Sequence, residues 1–436
     1  MTIPTLQGLQ TALSGLLAEQ TALDTTGNNI ANANTEGYSR ETALLEPNPA
    51  LPIPAISGHT GEGAQLGTGV TVATIARIRN TYLDAQYRTQ NSSLSAAKTQ
   101  AEILTLAQTA FNEPSSAGIA TQLSKFWTAW NELAGAPGEG AAKQGVVSAG
   151  IQLASAFNEL SEQLTTVSTQ VGEQYKSLTG PSGEVEDFAN QIAQLNGQIK
   201  LAEEAGQPPN NLLDRRDLLL DKLSALATVT VTEQPDHTDT VTLGDAAKSL
   251  VEGTTVNWPQ ELTEASGGEL GALLNLNGPK GQLTALRNSL DEVAATLAST
   301  VNAPLAKPFF SGETAATLKV AVTAEEVQAS GTEAEGGNEI ALQIAAMRGG
   351  AAEQSYAALV ENVGSDVRSA KDDQENLQGT LTAISDLRQG VSGVSLDEEM
   401  TNLITFQRGY QASARTLTAM DSMLETLIEH TGVVGL

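Results

Sequence analysis

The chain has 436 residues, with 51 acidic against 23 basic side chains and a formal net charge of −28. That balance argues against a nucleic-acid partner, since phosphate binding needs a dense Lys/Arg surface, and it suits a soluble, self-repelling surface. Cysteine is absent, which excludes disulfides, thiolate metal sites and Cys nucleophiles. No apolar run is long enough to span a membrane, and no Lys or Arg precedes Arg40 to open a secretory signal. Apolar residues at 40% with aromatics at only 4% favour long, thin helical packing.

In chain order, Leu6, Leu9, Leu13, Leu16, Leu23 and Ile30 come first, spaced by threes and fours, with Gln20 and Gly27 holding the frame. This is a heptad seam, and it predicts a helix over 5–31 about 40 Å long. Gly8, Gly15 and Gly27 weaken it, each costing roughly 1 kcal/mol relative to Ala, so the helix should gain order only by packing. Asn28, Asn29, Asn32 and Asn34 follow, then Gly37 and Tyr38. Asparagine competes with helical hydrogen bonds, and Gly37 offers the chain an exit from the helix.

Residues 45–66 carry Pro47, Pro49, Pro52 and Pro54, then Gly58, Gly61 and Gly63, and read as an extended connector or long hairpin. Val70, Val72 and Ile75 suggest a strand, and a helix follows from about Arg79 to the Asn112-Glu113-Pro114 break. The next helix, 118–134, takes Ser115 or Ser116 as its cap and Trp127 and Trp130, which share a face, as core anchors. Helices are predicted near 143–179, 183–206 and 211–226. Alternating β-branched residues at 228–232 and 240–243, either side of Pro235-Asp236, predict a hairpin. A helix returns over 280–303, a Pro-, Gly- and Thr-rich stretch at 304–337 holds one strand at 318–322, and helices run from 338 to 390. The last segment, 396–430, repeats the opening pattern with Leu403, Phe406, Tyr410, Leu417, Met420, Leu424 and Leu427, Ser413 being its one polar position.

The fold class that follows is mainly α: terminal coiled-coil helices plus an elongated helical bundle, with small β-hairpin or β-rich outer elements. Residues 1–40 and 392–436 are expected to form an inner terminal domain. The bundle takes 41–227, 259–303 and 338–391, and the outer elements take 228–258 and 304–337. On periodicity alone the two seams read as core helices of a bundle or as ends that assemble with further copies.

Several stretches carry a resemblance. Leu13-Ser14-Gly15-Leu16, Asn28-Asn29-Ile30-Ala31-Asn32-Ala33-Asn34 and Gly37-Tyr38-Ser39-Arg40 resemble the N-terminal signature of bacterial flagellar axial proteins, the rod, hook and hook-associated family. Residues 402–415 resemble its C-terminal signature. Phe111–Gly118 with Phe126, Trp127 and Trp130, then Leu212–Asp217 and Gly267–Leu274, are similar to the hook-associated branch at the hook–filament junction. Glu36 departs from the proline common in the family, and the chain is shorter than many members after residue 305.

The resemblance implies a structural subunit whose terminal seams assemble it into a tube. It also implies export by the flagellar type III system, with a chaperone holding the C-terminal seam beforehand. Implied partners are the hook protein, the second junction protein and further copies of itself, with no nucleic acid and no membrane insertion. The implied location is the extracellular flagellum, cytoplasmic before export. A hook or distal-rod protein, or a secreted helical effector or adhesin, are the rival readings. No motif for a metalloprotease, serine hydrolase or phosphate loop occurs, and His59, His237 and His430 stand far apart. No catalytic residue, cofactor or metal ligand is expected, and the chain reads as a non-enzyme.

Overall fold

A computed structural model of the chain describes residues 7–53, 64–246, 248–331 and 336–430. Leu6 and His59 lie outside the described residues. The first helix, α1 (Gln7–Asn32), leads into a long ribbon. Within it β1 (Glu41–Pro47) pairs antiparallel with β4 (Val70–Arg77), Glu41 opposite Arg77, and β2 (Leu51–Ile53) pairs with β3 (Ala64–Leu66). A bulge between Leu44 and Leu45 breaks the register. The ribbon lies against α1.

The body begins with α2 (Thr81–Phe111), started by the Asn80 side chain, which accepts hydrogen bonds from the Tyr82 and Leu83 amides. Then come α3 (Ile119–Gly135), α4 (Gly140–Thr179), α5 (Glu184–Glu204) and α6 (Asn210–Leu226). A four-stranded antiparallel sheet follows, β5 (Val229–Glu233), β6 (Asp239–Leu243), β7 (Val251–Glu252) and β8 (Thr255–Val256), in sequential order. The chain continues through α7 (Gly268–Asn277), α8 (Gln282–Asn302), a short pair β9 (Phe310–Ser311) and β10 (Lys319–Val320), α9 (Glu339–Ala345) and α10 (Ala351–Ser392). The last helix, α11 (Leu396–His430), returns antiparallel along α1.

Two hydrophobic cores hold the body. The larger gathers α2, α3, α4, α7, α8, α9 and the first half of α10. Trp127 and Trp130 sit at its centre, 2% and 0% exposed. The smaller packs Val185 and Ile192 of α5 and Leu220 and Leu223 of α6 under Val241, Leu243 and Val251 of the sheet.

At three places the structure adds to or departs from the sequence reading. Part of the 304–337 stretch packs into the body: Phe309 and Phe310 are each 1% exposed. Phe309 meets Trp130 edge-on and Phe310 tilts against Phe126, at centroid distances of 5.6 and 5.4 Å. Burying two such rings stabilises by about 1.5–3 kcal/mol each and outweighs the Pro/Gly-rich composition around them. Secondly, α3 starts without a Ser115 or Ser116 side chain capping the helix itself. The Glu113 carboxylate accepts from the Ala120 amide at 2.9 Å, while Ser115 Oγ accepts from the Gly118 amide just before the helix. Thirdly, α7 forms where the sequence pattern gives no helix signal, because Gly267 precedes it and Gly268 opens it. Gly268 has φ +59, and a Cβ there would lie 2.5 Å from the Leu226 carbonyl carbon, so glycine is what lets α7 start against the end of α6. Among the described residues no helix is long and apolar enough to cross a membrane.

Candidate functional site

Buried polar residues gather at the joint where the terminal helices and the ribbon meet the body. Asn29, 1% exposed in the last turns of α1, organises its outer half. Its Nδ2 donates to the Glu41 carbonyl at 2.8 Å and to Glu399 Oε2 at 3.2 Å. Its Oδ1 accepts from the Glu41 amide at 2.9 Å and from the Tyr38 hydroxyl at 2.8 Å. The carboxamide thus uses both donors and both lone pairs, pairing with the ribbon's first residue as a strand would. Burial first, and then the carboxylates of Glu41, Asp214 and Glu399, raise the Tyr38 pKa and keep it a donor.

Arg40 carries the joint to α11. Its Nε and Nη1 donate to Glu399 and Glu398 at 2.7 and 2.6 Å, and its amide donates to the Ser392 carbonyl at the end of α10. Ser39 turns the other way, its amide and hydroxyl donating to Asp214 at 3.0 and 2.7 Å. Gly37, with φ +79, packs on Leu218, and a Cβ there would stand 3.1 Å from the Leu218 Cβ. A larger residue would be strained at this positive φ and would push the Leu218 side chain aside.

The inner half is a closed ring of alternating charge. Asp84 binds Arg79 at 2.8 Å, Arg79 binds Asp217 at 3.2 Å and Asp217 binds Arg88 at 3.0 Å. Arg88 binds Asp221 at 2.9 Å, Asp221 binds Arg388 at 2.7 Å, and Arg388 returns to Asp84 at 2.6 Å. Asp84 and Arg88, and Asp217 and Asp221, are each four residues apart and so share a helix face; the ring ties α2, α6 and α10 together. Arg77 adds contacts to Asp214 and Asp217 at 2.7 and 3.0 Å. Burial works against the Asp217 charge, yet Arg79, Arg77 and Arg88 outweigh it and hold its pKa below the ordinary carboxylate value. Burial likewise opposes the Arg79 charge, and Asp84 and Asp217 overcome it and raise its pKa.

Arg216 points from α6 into the sheet. Its Nη1 donates to Asn196 Oδ1 and the His237 carbonyl, and its Nε stands 2.9 Å from Asp239 Oδ2. That last contact has ion-pair distance without hydrogen-bond geometry, so Nε has no hydrogen-bond partner. Burial pushes the Asp239 carboxyl up to about 6, with Arg216 opposing, and burial also lowers the Arg216 pKa.

Comparison with known proteins places these residues. Residues 104–316 match the flagellar hook-associated protein FlgK helical domain. Residues 389–429 match the flagellar basal body rod FlgEFG protein C-terminal family, and 9–38 the flagella basal body rod protein family. Flagellar hook-associated protein 1 of Bacillus subtilis is 30% identical over 507 aligned positions that cover 99% of each chain. The chain belongs to the flagellar hook-associated protein 1 family. The Escherichia coli member is 32% identical over 57% of this chain and 43% of its own length. The solved flagellar hook junction protein FlgK of Burkholderia pseudomallei superposes with a TM-score of 0.45 at 26% identity, covering 50% of this chain and 43% of that one.

The three matched spans converge on the joint: Asn29 from 9–38, Asp214, Asp217 and Asp221 from 104–316, Glu398 and Glu399 from 389–429. Of the axial motif, Asn32 hydrogen-bonds the Asn28 side chain at 2.8 Å, Asn28 reaches Tyr38 and Glu41, and Asn34 is exposed.

The leucine seam of α1 is displaced by one residue from the face that meets α11. Gly8 lies opposite Met420, Gly15 opposite Ser413, Glu19 opposite Gly409 and Asn29 opposite Glu399. With the buried Ala12, Ala22 and Thr26 these follow heptad spacing. Small side chains let the helices approach closely, and that wins over the larger leucines. Leu13 is consequently 43% exposed, and Leu9, Leu16, Leu23 and Ile30 are half-buried beside the contact. On α11, Leu403, Phe406, Tyr410, Leu417, Met420 and Leu424 form the half-buried face; the Leu427 side chain lies outside the described residues. Sequence reasoning missed Arg79, Asp84, Arg88, Asp221 and Arg388. The signal available for them was the paired i, i+4 charges on α2 and α6, which look like any solvated helix face.

Proposed function

We propose that this protein is a structural subunit that joins hook to filament as a mechanical adaptor, with its terminal helices forming the inner domain and the body packing around them. The observation that carries this is the apolar surface of the terminal pair. The helices meet through glycine and alanine, while Leu13, Leu17, Met400, Ile404 and Met423 stand 43, 53, 51, 46 and 65% exposed. Large apolar side chains exposed in this number find partners or aggregate, and neighbouring subunits are the partners that fit. The hook protein on one side and the second junction protein on the other complete the contacts. The reading includes export as an unfolded chain, with a chaperone covering Leu417, Met420 and Leu424 beforehand, and an extracellular final location. It assigns no catalytic step, since the ionised groups of the joint are occupied by one another.

Immunogold microscopy of intact flagella with antibody against residues 228–337 tests it. A single band at the hook–filament boundary is expected. Label along the hook or rod moves the protein to those axial relatives, and flagella without label overturn the reading.

A further inference from the structure

We propose that copies of this chain associate head to tail through two faces of the body: a groove lined by carboxylates and apolar side chains on one copy receives the basic stripe of α6 from the next. The inference rests on the structural-subunit reading and specifies its lateral contact.

The groove lies between the end of α2, α3 and the start of α10 and holds about 460 Å³. Leu123, Ala357 and Val360 give it an apolar lining, and Glu113, Glu353 and Glu361 line it as well. Two of these carboxylates are fixed in place. Glu113 accepts from the Tyr356 hydroxyl and the Ala120 amide, and Glu353 from the Trp127 indole and the Gly349 amide. Glu361 is exposed and has no ion-pair partner among the described residues. The groove therefore combines preset carboxylates with apolar lining, suited to a Lys or Arg whose stem is apolar and whose tip is charged.

The same chain carries such a surface. On α6, Arg215, Leu218, Leu219 and Lys222 follow helical spacing and share a face. Arg215 and Lys222 are exposed, Leu218 and Leu219 half-buried, and neither cation has an ion-pair partner among the described residues. The helix sorts its charges, with Asp214, Asp217 and Asp221 turned inward to the joint and Arg215 and Lys222 turned out. In a chain with 51 acids and 23 bases, an outward basic, apolar stripe is not the average surface.

The two faces cannot meet within one molecule. Asn91 of α2 binds the Asp221 carbonyl and Ser224 of α6, whereas the groove begins at Glu113, beyond the other end of α2. The intervening helix, Asn91 to Phe111, spans about 30 Å at ~1.5 Å per residue. Complementary patches that far apart on one body make a heterologous contact, which generates rings or filaments. Because the rest of the surface is strongly acidic and repels its copies, this pairing of opposite charges also sets their orientation.

The chain lacks cysteine, so Glu361→Cys with Lys222→Cys in the full chain gives a clean test on purified flagella. Oxidation should produce a ladder of disulfide-linked multimers that neither single variant gives. Glu361→Lys or Lys222→Glu alone should lower incorporation about tenfold, and the two reversals together should restore it to within about twofold. Unsubstituted chain that assembles, with variants that give no ladder and no restoration, overturns the head-to-tail contact alone. Unsubstituted chain absent from flagella overturns the structural reading and this inference with it.

Discussion

Arg388, near the end of α10, closes the charge ring on Asp84 in the first turn of α2 at 2.6 Å, although 304 positions separate them in the chain. Its other arm reaches Asp221 at 2.7 Å and its guanidinium lies 4.7 Å from the centroid of the Tyr87 ring. One side chain thus fixes the last turns before α11 to both helices that carry the ring. The direction in which the terminal pair leaves the body is set there and at Asn29.

Removing that side chain leaves Asp84 and Asp221 buried with less compensation. Breaking a buried pair costs about 3–5 kcal/mol, and the partial exposure of Arg388, 18%, argues for the lower end. Arg388→Met should therefore lower stability by about 3 kcal/mol in urea unfolding. Asp84→Asn should be less than additive with it, since both act on one contact. Full additivity would mean that the ring is not a unit.

Asp239 gives the protein an opposite response to acid. Its folded pKa is pushed up to about 6 by burial, above the ordinary carboxylate value of 3.8. The folded state therefore binds the proton more readily than the unfolded chain between these values, and stability from this group rises as pH falls from about 6 to 4. Asp217, held below the ordinary value, acts the other way and only at lower pH. Urea midpoints at pH 7 and pH 4.5 should show that Asp239→Asn removes a rise on acidification worth about 1–3 kcal/mol. An unchanged pH slope in that variant would disprove the role.

Helices, hairpins and the aromatic core were legible because each is encoded by neighbours in the chain. Trp127 and Trp130 share a face by spacing, and Val229 to Glu233 alternates as a strand must. The joint was legible only in part. Asn29 and Tyr38 stood out by residue type, but their partner Glu399 lies 370 positions away from Asn29. Leucine periodicity misplaced the α1 contact by one residue because close helix packing selects for small side chains, and Gly8 and Gly15 read locally as helix weakness rather than as contact. Phe309 and Phe310 were hidden by the Pro- and Gly-rich stretch around them, whose burial depends on α3 and α4.

The small-residue contact makes its own prediction. A Cβ at Gly15 would already stand 3.1 Å from Ser413 Oγ, so Gly15→Leu must push α11 away toward ordinary helix spacing of about 8–10 Å. Neither hydrophobic core includes a residue of α1 or α11. The body should keep its thermal transition while trypsin cleavage at Arg408 and Arg415 accelerates about tenfold. A Leu13→Ala control, at an exposed position, should leave cleavage unchanged. Equal protection of both variants would show that α11 is not held through Gly15.

Asn29→Asp is the sharpest probe of the joint, since it keeps shape and changes two atoms' chemistry. The new carboxylate loses the donor that now serves the Glu41 carbonyl at 2.8 Å, leaving that carbonyl buried and unpaired. It also faces Glu399 Oε2 where Nδ2 now stands at 3.2 Å, so two negative charges share one buried space. Loss of the hydrogen bond and like-charge repulsion together should cost about 3 kcal/mol at pH 7. Such a carboxyl pair holds a shared proton with a raised pKa. The deficit against the parent protein should therefore shrink as pH falls from 7 to about 4.5, measured by urea unfolding of both proteins at each pH. Asn29→Ala loses the same hydrogen bond but adds no charge, and its deficit should stay constant over that range. A pH-independent deficit in Asn29→Asp would show that Asn29 does not hold Glu399 in the folded joint.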